Sequence, residues 1–334
     1  MSKVLPEYAA SFNTIQYFPQ VREIEGDPVA RVNEPFYISG LNEAVHEASS
    51  TLFIDPDIAK VVGLNRHMLR SFSFTNHPER RSKSRGATEH VFFGDARLSV
   101  DKGIGGKDHN FRVAIKPYLE AKDSSAAAIH EYAGSVILNE SKYVETFRPL
   151  GIWVDEDRHA FLISSWVENA ASLDNLTMSQ LTNSESPRRA LLDRRPPAAP
   201  LHIAAGALAL LHAQGFSHGN AQINNFSQHP KQQSLLVFDL LNMRRICLPD
   251  AQPKDQDALR LEIFGDLKRL IGSVARQLST AIRKDSDWRE VVSDHIVEPY
   301  LHTVAQTDLT PVHELCSSGA IDLPSITRDL LDLL

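Results

Sequence analysis

The sequence predicts an α+β chain of two lobes, an antiparallel sheet with one inserted helix followed by a lobe of helices. Three observations predict it. Strand-length runs that alternate apolar with polar residues recur between Arg70 and Val167, the period-2 pattern of half-buried strands. One stretch of helical periodicity, from Asp123 to about Glu140, interrupts them. After Val167 the pattern turns helical, apart from the short apolar run Leu235–Asp239. The divisions are an N-terminal extension over residues 1–68, the sheet lobe over 69–167 and the helical lobe over 168–334.

Residues 1–68 mix Pro, Glu and Asn with short apolar runs, and Ser39–Ser50 is their best helix; no chemistry is assigned to them. RSFSFT (Arg70–Thr75) and HVFFGDARLSV (His90–Val100) alternate as strands, with the basic loop NHPERRSKSRGATE and its single glycine, Gly86, between them. The glycine turn DKGIGGKD (Asp101–Asp108) leads into the strand FRVAIKPY (Phe111–Tyr118). Asp123 has the side chain of an N-cap, and Ile129, Tyr132, Ala133, Val136 and Ile137 form an apolar stripe on the helix it opens. TFRPLGIWV and HAFLISSWV supply two more strands. A polar, Pro-rich stretch, Asn183–Pro200, precedes an apolar helix, Leu201–Gln214, that Gly215 ends. The strand LLVFD follows, then helices over Asp257–Leu278 and Trp288–Thr303 and a short one from Ser325.

At 334 residues the chain has room for two lobes with buried cores. Its net charge of −7 argues against nucleic acid or an anionic membrane as partner, since Arg80, Arg81, Lys83 and Arg85 make one short basic run. Cys247 and Cys316 lie too far apart in sequence for a disulfide framework or zinc knuckle and read as thiols in a reducing compartment. The first residues lack the apolar core of a signal peptide. The most apolar segment, Leu201–Phe216, is interrupted by His202, Gly206, His212 and Gln214 and does not suit a membrane span. The expectation is a soluble, cytoplasmic protein.

Five elements then fall in order. Val113-Ala114-Ile115-Lys116 ends a strand on a lysine, a cation suited to nucleotide phosphates. Glu131, opposite the main stripe of the following helix, shares its face with Ala127, Gly134, Ser135 and Leu138 and can hold that lysine in place. The loop HAQGFSHGNAQINNF brings His218, Asn220 and Asn225, and an Asn five positions after the catalytic one offers magnesium an oxygen ligand. Asp239 ends an apolar strand as a charged ligand. Asp266 lies in a helix. Taken singly, each has a bland explanation: a solvated lysine or glutamate, a turn aspartate, a charge near a helix start. Their order makes chance the weakest account.

These residues resemble the protein-kinase-like superfamily. VAIK matches its strand-lysine motif, His218-Gly219-Asn220 through Asn225 resembles the H-x-D-x-x-x-x-N catalytic loop, and Val237-Phe238-Asp239 resembles the strand leading to the magnesium-binding D-F-G. Over residues 70–300 the resemblance implies a bilobal fold in which Lys116, paired with Glu131, contacts the phosphates of ATP and in which Asn225 and Asp239 hold Mg²⁺. It implies that His218, Asn220 and Asp239 occupy catalytic positions and that the backbone of Ser165 to Val167 receives adenine. Asp266 matches the buried aspartate that braces the catalytic loop through its N–H groups.

The chain departs from the pattern in four places. No G-x-G-x-x-G precedes VAIK; Gly86, in SKSRGATEH, is the candidate for covering phosphates. The stretch from Asp239 to Asp266 lacks A-P-E and leaves little room for a peptide-docking segment. Gln222 stands where serine/threonine kinases carry Lys, and Gly219 replaces the middle Arg, as in aminoglycoside and lipopolysaccharide-type bacterial kinases. Asn220 stands where the family has the Asp that accepts the hydroxyl proton. An Asn keeps an acceptor oxygen and loses charge and basicity, so nucleotide and metal binding survive and turnover is slow or silent. Either the natural protein carries this amide, or the chain is a substituted form of an active parent, which the retained Lys116, Glu131, Asn225 and Asp239 favour.

The function expected is therefore an ATP- and Mg²⁺-dependent phosphotransferase, an atypical serine/threonine kinase with a protein substrate, impaired by Asn220. Two alternatives stand beside it. One is a small-molecule kinase for a sugar or antibiotic hydroxyl, with Asp250, Asp255 and Asp257 available to a cationic substrate. The other is a pseudokinase that works as a regulatory binding protein.

Overall fold

The computed structural model describes residues 14–17, 21–22, 37–38, 51–55, 58, 61–62, 69–76, 91–100, 106–119, 121, 124–140, 143–155, 157, 159–166, 199–229, 234–245, 256–277, 287–307 and 322–333. Outside them lie the expected helix Ser39–Ser50, the cap Asp123, Gly86 and the basic run around it, Val167, Asp250, Asp255 and both cysteines. The chain divides into two units, the second taking over after Val167 and also holding the strand at Val144–Glu145.

The first unit is built on a sheet whose core is six antiparallel strands: β4 (Thr51–Ile54), β5 (Leu69–Asn76), β6 (Phe92–Val100), β7 (Lys107–Pro117), β9 (Pro149–Val154) and β10 (Ala160–Ser165). They lie in the order β4-β9-β10-β7-β6-β5, and β1 (Thr14–Tyr17) adds to β4 in parallel. The two short strands β2 (Val21–Arg22) and β3 (Tyr37–Ile38) pair with each other. β4 comes from the stretch to which the sequence assigned no role. Its Leu52 and Ile54 join Val113, Ile115, Trp153, Phe161 and Ile163 in one apolar cluster, with Trp153 stacked on Phe161 at 4.5 Å between centroids.

Because side chains alternate along a strand, Val113 and Ile115 in that cluster leave Ala114, Lys116 and the following Tyr118 for the other face of β7. The helix α1 (Ser124–Glu140) buries a wider face than the apolar stripe the sequence displays. Of that stripe Tyr132 and Ala133 are buried and Ile129, Val136 and Ile137 half-buried, while Ala128, Glu131, Ser135 and Leu138 are buried beside it. Glu131 is among them because its carboxylate has partners on β7 and just beyond it.

In the second unit, β8 (Val144–Glu145) runs parallel to β13 (Leu235–Val237), which pairs antiparallel with β12 (Phe226–Gln228). β11 (Phe216–Ser217) pairs with β14 (Arg244–Arg245). The helix α2 (Ala199–Ala213) carries Pro200 in its first turn, where a missing N–H costs nothing. It is apolar nearly all round and is buried accordingly at Leu201, Ala204–Ala209 and Leu211–Ala213, with His202 exposed; Gly215, at φ 83°, turns the chain out of it. α3 (Gln256–Gln277), α4 (Asp287–Val292), α5 (Glu298–Gln306) and α6 (Leu323–Leu331) follow. The single helix expected over Trp288–Thr303 is interrupted by a five-residue π-helical stretch, Ser293–Val297. Pro299 explains it: its ring has no N–H for the carbonyl of His295 four residues back, and the local spiral widens. Among the described residues, no helix is long and apolar enough to cross a membrane.

Candidate functional site

The sequence-derived residues fall into two clusters, one in each unit. In the first, Lys116 Nζ lies 2.7 Å from Glu131 Oε2. The same oxygen accepts the Tyr118 hydroxyl at 2.5 Å, and the Lys116 ammonium also sits 5.3 Å from the centre of the Tyr118 ring. The Glu131 side chain is 7 % exposed and that of Lys116 20 %. A carboxylate that buried needs both partners, and part of the Lys116 side chain stays open to solvent. Tyr118 went unnoticed in the sequence, although its place two residues after Lys116 puts it on the same face.

Ser165 and Trp166 are half-buried, and their N–H groups are already engaged. That of Ser165 donates to the Arg148 carbonyl at 2.7 Å and that of Trp166 to the Arg112 carbonyl at 3.0 Å. Both N–H groups of the expected adenine-receiving segment that the structure describes are thus bonded to the backbone; Val167 and Gly86 lie outside the described residues.

In the second unit the loop after β11 is fastened to α3. Asp266, fully buried, accepts the His218 N–H at 2.6 Å and the Gly219 N–H at 2.9 Å. His212 Nε2 donates to it at 3.2 Å, and His212 Nδ1 takes the Tyr300 hydroxyl at 2.8 Å. This orientation follows because a carboxylate only accepts. Two turns further along the same face of α3, Ser273 Oγ accepts the Ile223 N–H at 2.9 Å. Gly219 is at φ 72°, and a Cβ there would meet the Asn242 carbonyl at 2.2 Å, so glycine is required.

Burial pushes the Asp266 carboxyl up, yet the hydrogen bond from His212 and the nearness of His212 and His218 outweigh it and hold the group below its ordinary value. For His218 burial wins and pushes the imidazole below its ordinary value, against the charges of Asp266 and Asp239. The neutral ring fits its contacts. Nδ1 accepts the Asn220 N–H at 3.3 Å, and the ring lies 5.4 Å from that of Phe226.

Asn220, Asn225 and Asp239 are brought together. Asn220 Nδ2 donates to Asp239 Oδ2 at 2.7 Å, and Gln222 Nε2 donates to Asn220 Oδ1 at 2.9 Å. Asn225 Nδ2 donates to the Asn220 carbonyl at 2.9 Å, which leaves its side-chain oxygen as the end not used in that bond. The Asn225 carbonyl accepts the Phe238 N–H at 2.8 Å, tying the loop to the strand that delivers Asp239. Asp239 has φ 57° and ψ 61°, a left-handed conformation that strains a residue with a side chain and often marks a functional position. One carboxylate and one amide oxygen, with phosphates to complete the shell, are the hard donors that Mg²⁺ takes, so the residues present fit that ion.

His212, Tyr300 and Gln222 were missed as site residues. The available signal was a histidine inside an otherwise apolar helix, which must find a polar partner when buried. A second group, Asp155, Asp157 and His159, has its ligand atoms within 4.8 Å of one another. It lies in an exposed turn where Asp155 already accepts the His159 N–H at 2.7 Å. No protein-family model matches this chain, and no curated protein matches it either.

Proposed function

We propose that this chain is an ATP- and Mg²⁺-dependent phosphotransferase with the bilobal protein-kinase-like fold, directed at a serine or threonine hydroxyl of a protein and impaired by Asn220. The observation that carries the reading is the convergence of Asn220, Asn225 and a left-handed Asp239, on a loop whose backbone Asp266 holds by two N–H groups. The Lys116–Glu131 pair supports it from the other unit. In this reading Lys116, steadied by Glu131 and Tyr118, offers its ammonium to the nucleotide phosphates, and Asp239 and Asn225 hold the metal. Mg²⁺, when bound, neutralises charge on the phosphates. Asp266 fixes the His218–Gly219 backbone and so aims residue 220. The Asn220 oxygen is held by Gln222 and its nitrogen by Asp239, so no basic atom remains to take the proton of an acceptor hydroxyl. General-base catalysis contributes ~10²–10⁴-fold, and transfer is expected to fall by that factor.

The test compares this chain with Asn220→Asp using γ-labelled ATP and magnesium, alone and with cell lysate. Label transferred by Asn220→Asp and absent or ~10²–10⁴-fold weaker here is the expected result. If the restored carboxylate labels neither itself nor any protein, the transferase reading falls. A second reading, a nucleotide-binding regulator with no transfer step, is favoured by one feature: both ends of the Asn220 amide are already satisfied within the loop. It predicts ATP binding without transfer even after Asn220→Asp.

A further inference from the structure

The Asp239 carboxylate is held by two amides in series. An ionised carboxylate can only accept, so the atom of Asn220 that faces Asp239 Oδ2 at 2.7 Å is its nitrogen. The Asn220 oxygen must then point the other way, where Gln222 Nε2 donates to it at 2.9 Å. The backbone beneath is equally constrained. The Asn220 carbonyl accepts the Gln222 N–H at 2.7 Å and Asn225 Nδ2 at 2.9 Å. The Asp239 backbone is fixed, since it follows β13 in a left-handed conformation and the preceding Phe238 N–H is bonded to the Asn225 carbonyl. Asp239 thus selects the end of Asn220 that meets it, and Gln222 braces the amide in that orientation.

We propose that Gln222 and Asn220 form an amide latch on Asp239, so that a divalent cation taking Asp239 Oδ2 must displace a charge-assisted hydrogen bond, and that Gln222 tunes the cation affinity of the loop. The proposal rests on the reading of Asp239 as a metal ligand. It makes Gln222 a positioning residue. A donor at 222 strengthens the orientation in which the carboxylate draws the Asn220 nitrogen towards it. An acceptor there turns the nitrogen away and brings the Asn220 oxygen, a hard ligand, to the side of the carboxylate.

The experiment titrates Mn²⁺, without nucleotide, into the full chain and reads the electron paramagnetic resonance signal of free ion. The forms compared are the unaltered chain, Asn220→Ala, Gln222→Met and Gln222→Glu, each also carrying Asp239→Asn as the control that locates the ion. Losing a charge-assisted hydrogen bond as competitor raises affinity about 10-fold or more. Asn220→Ala is therefore expected to bind Mn²⁺ about 10-fold more tightly than the unaltered chain, Gln222→Met more tightly by a smaller factor because Asn220 then holds Asp239 without its brace, and Gln222→Glu most tightly. Asp239→Asn abolishes the gain in each. A variant that fails to fold cannot imitate a gain in affinity, and three substitutions of different shape give independent readings. If the unaltered chain binds Mn²⁺ as tightly as all three variants, through Asp239, the latch is overturned while the metal role of Asp239 stands. If no form binds Mn²⁺, or if Asp239→Asn leaves binding unchanged, the latch and the metal assignment fall together.

Discussion

Replacing Asp266 is the most direct test of how the loop is held. Asp266→Ala strips the acceptor from the His218 N–H, the Gly219 N–H and His212 Nε2. Gly219 is half-buried, and water can reach its amide. His218 and His212 are fully buried, and each orphaned buried donor costs about 1–3 kcal/mol. Breaking a buried charged network by removing one partner costs ~3–5 kcal/mol, so a loss in that range is expected for the second unit. At a urea slope of ~1–3 kcal/mol per M, the unfolding midpoint falls by about 1 M or more. Trp288, buried in the second unit, gives the fluorescence signal, and hydrogen exchange of the peptide spanning 216–226 reports the loop itself. A midpoint shift under ~0.3 M, with loop protection unchanged, would refute the bracing role. The pH profile separates the two buried groups. Below the ordinary His value of 6.5 the unfolded chain takes up a proton that folded His218 refuses, so stability declines as pH falls from there. Below 3.8 the unfolded chain protonates the carboxyl that folded Asp266 keeps ionised, and stability declines again. Asp266→Asn is expected to remove this second decline.

Two further perturbations check the geometry elsewhere. Gly219→Ala forces a Cβ into 2.2 Å contact with the Asn242 carbonyl at φ 72° and is expected to destabilise by about 2 kcal/mol or more. Gly272→Ala on α3 meets nothing within 4 Å and is expected to stabilise by about 0.5–1 kcal/mol; thermal melts that rank the two the other way would refute the loop conformation. Tyr118→Phe removes one of two bonds to Glu131 Oε2 and is expected to weaken binding of a fluorescent ATP analogue several-fold, less than Lys116→Ala does. Unchanged affinity in Lys116→Ala would show that the ammonium does not serve a nucleotide.

Much of the sheet was legible because alternation is a local signal, and β5, β6, β7 and β10 fall where the runs lie. The face of α1 was legible in part. Periodicity weighs apolar residues and placed the core on the stripe Ile129, Tyr132, Ala133, Val136 and Ile137, of which Tyr132 and Ala133 are buried, whereas the burial of Glu131 depends on an ion pair with β7. Hydropathy has no means of scoring a glutamate as a core residue. The break at Ser293–Val297 was within reach, since Pro299 is visible in the sequence and its effect on the carbonyl four residues back is steric. The brace on the loop was half legible. Asp266 could be picked out by its place in order, but His212 reaches it across a gap of 54 residues and Tyr300 reaches His212 across 88, and spacing within one element carries no trace of them.

Position 220 changes most between the two levels. In the sequence it is one unexpected amide among otherwise matching residues, so a single reversion looks sufficient to restore a base. In the structure the amide nitrogen lies 2.7 Å from Asp239 Oδ2. Asn220→Asp therefore sets two carboxylates at hydrogen-bonding distance with no proton between them, while Gln222 can still donate to the outer oxygen. Like charges that close repel unless a cation lies between them. It follows that the reverted chain should melt at a lower temperature than the unaltered one in chelator and gain more from added Mg²⁺. A reverted chain whose melting temperature ignores magnesium would mean that residue 220 and Asp239 do not face each other as described.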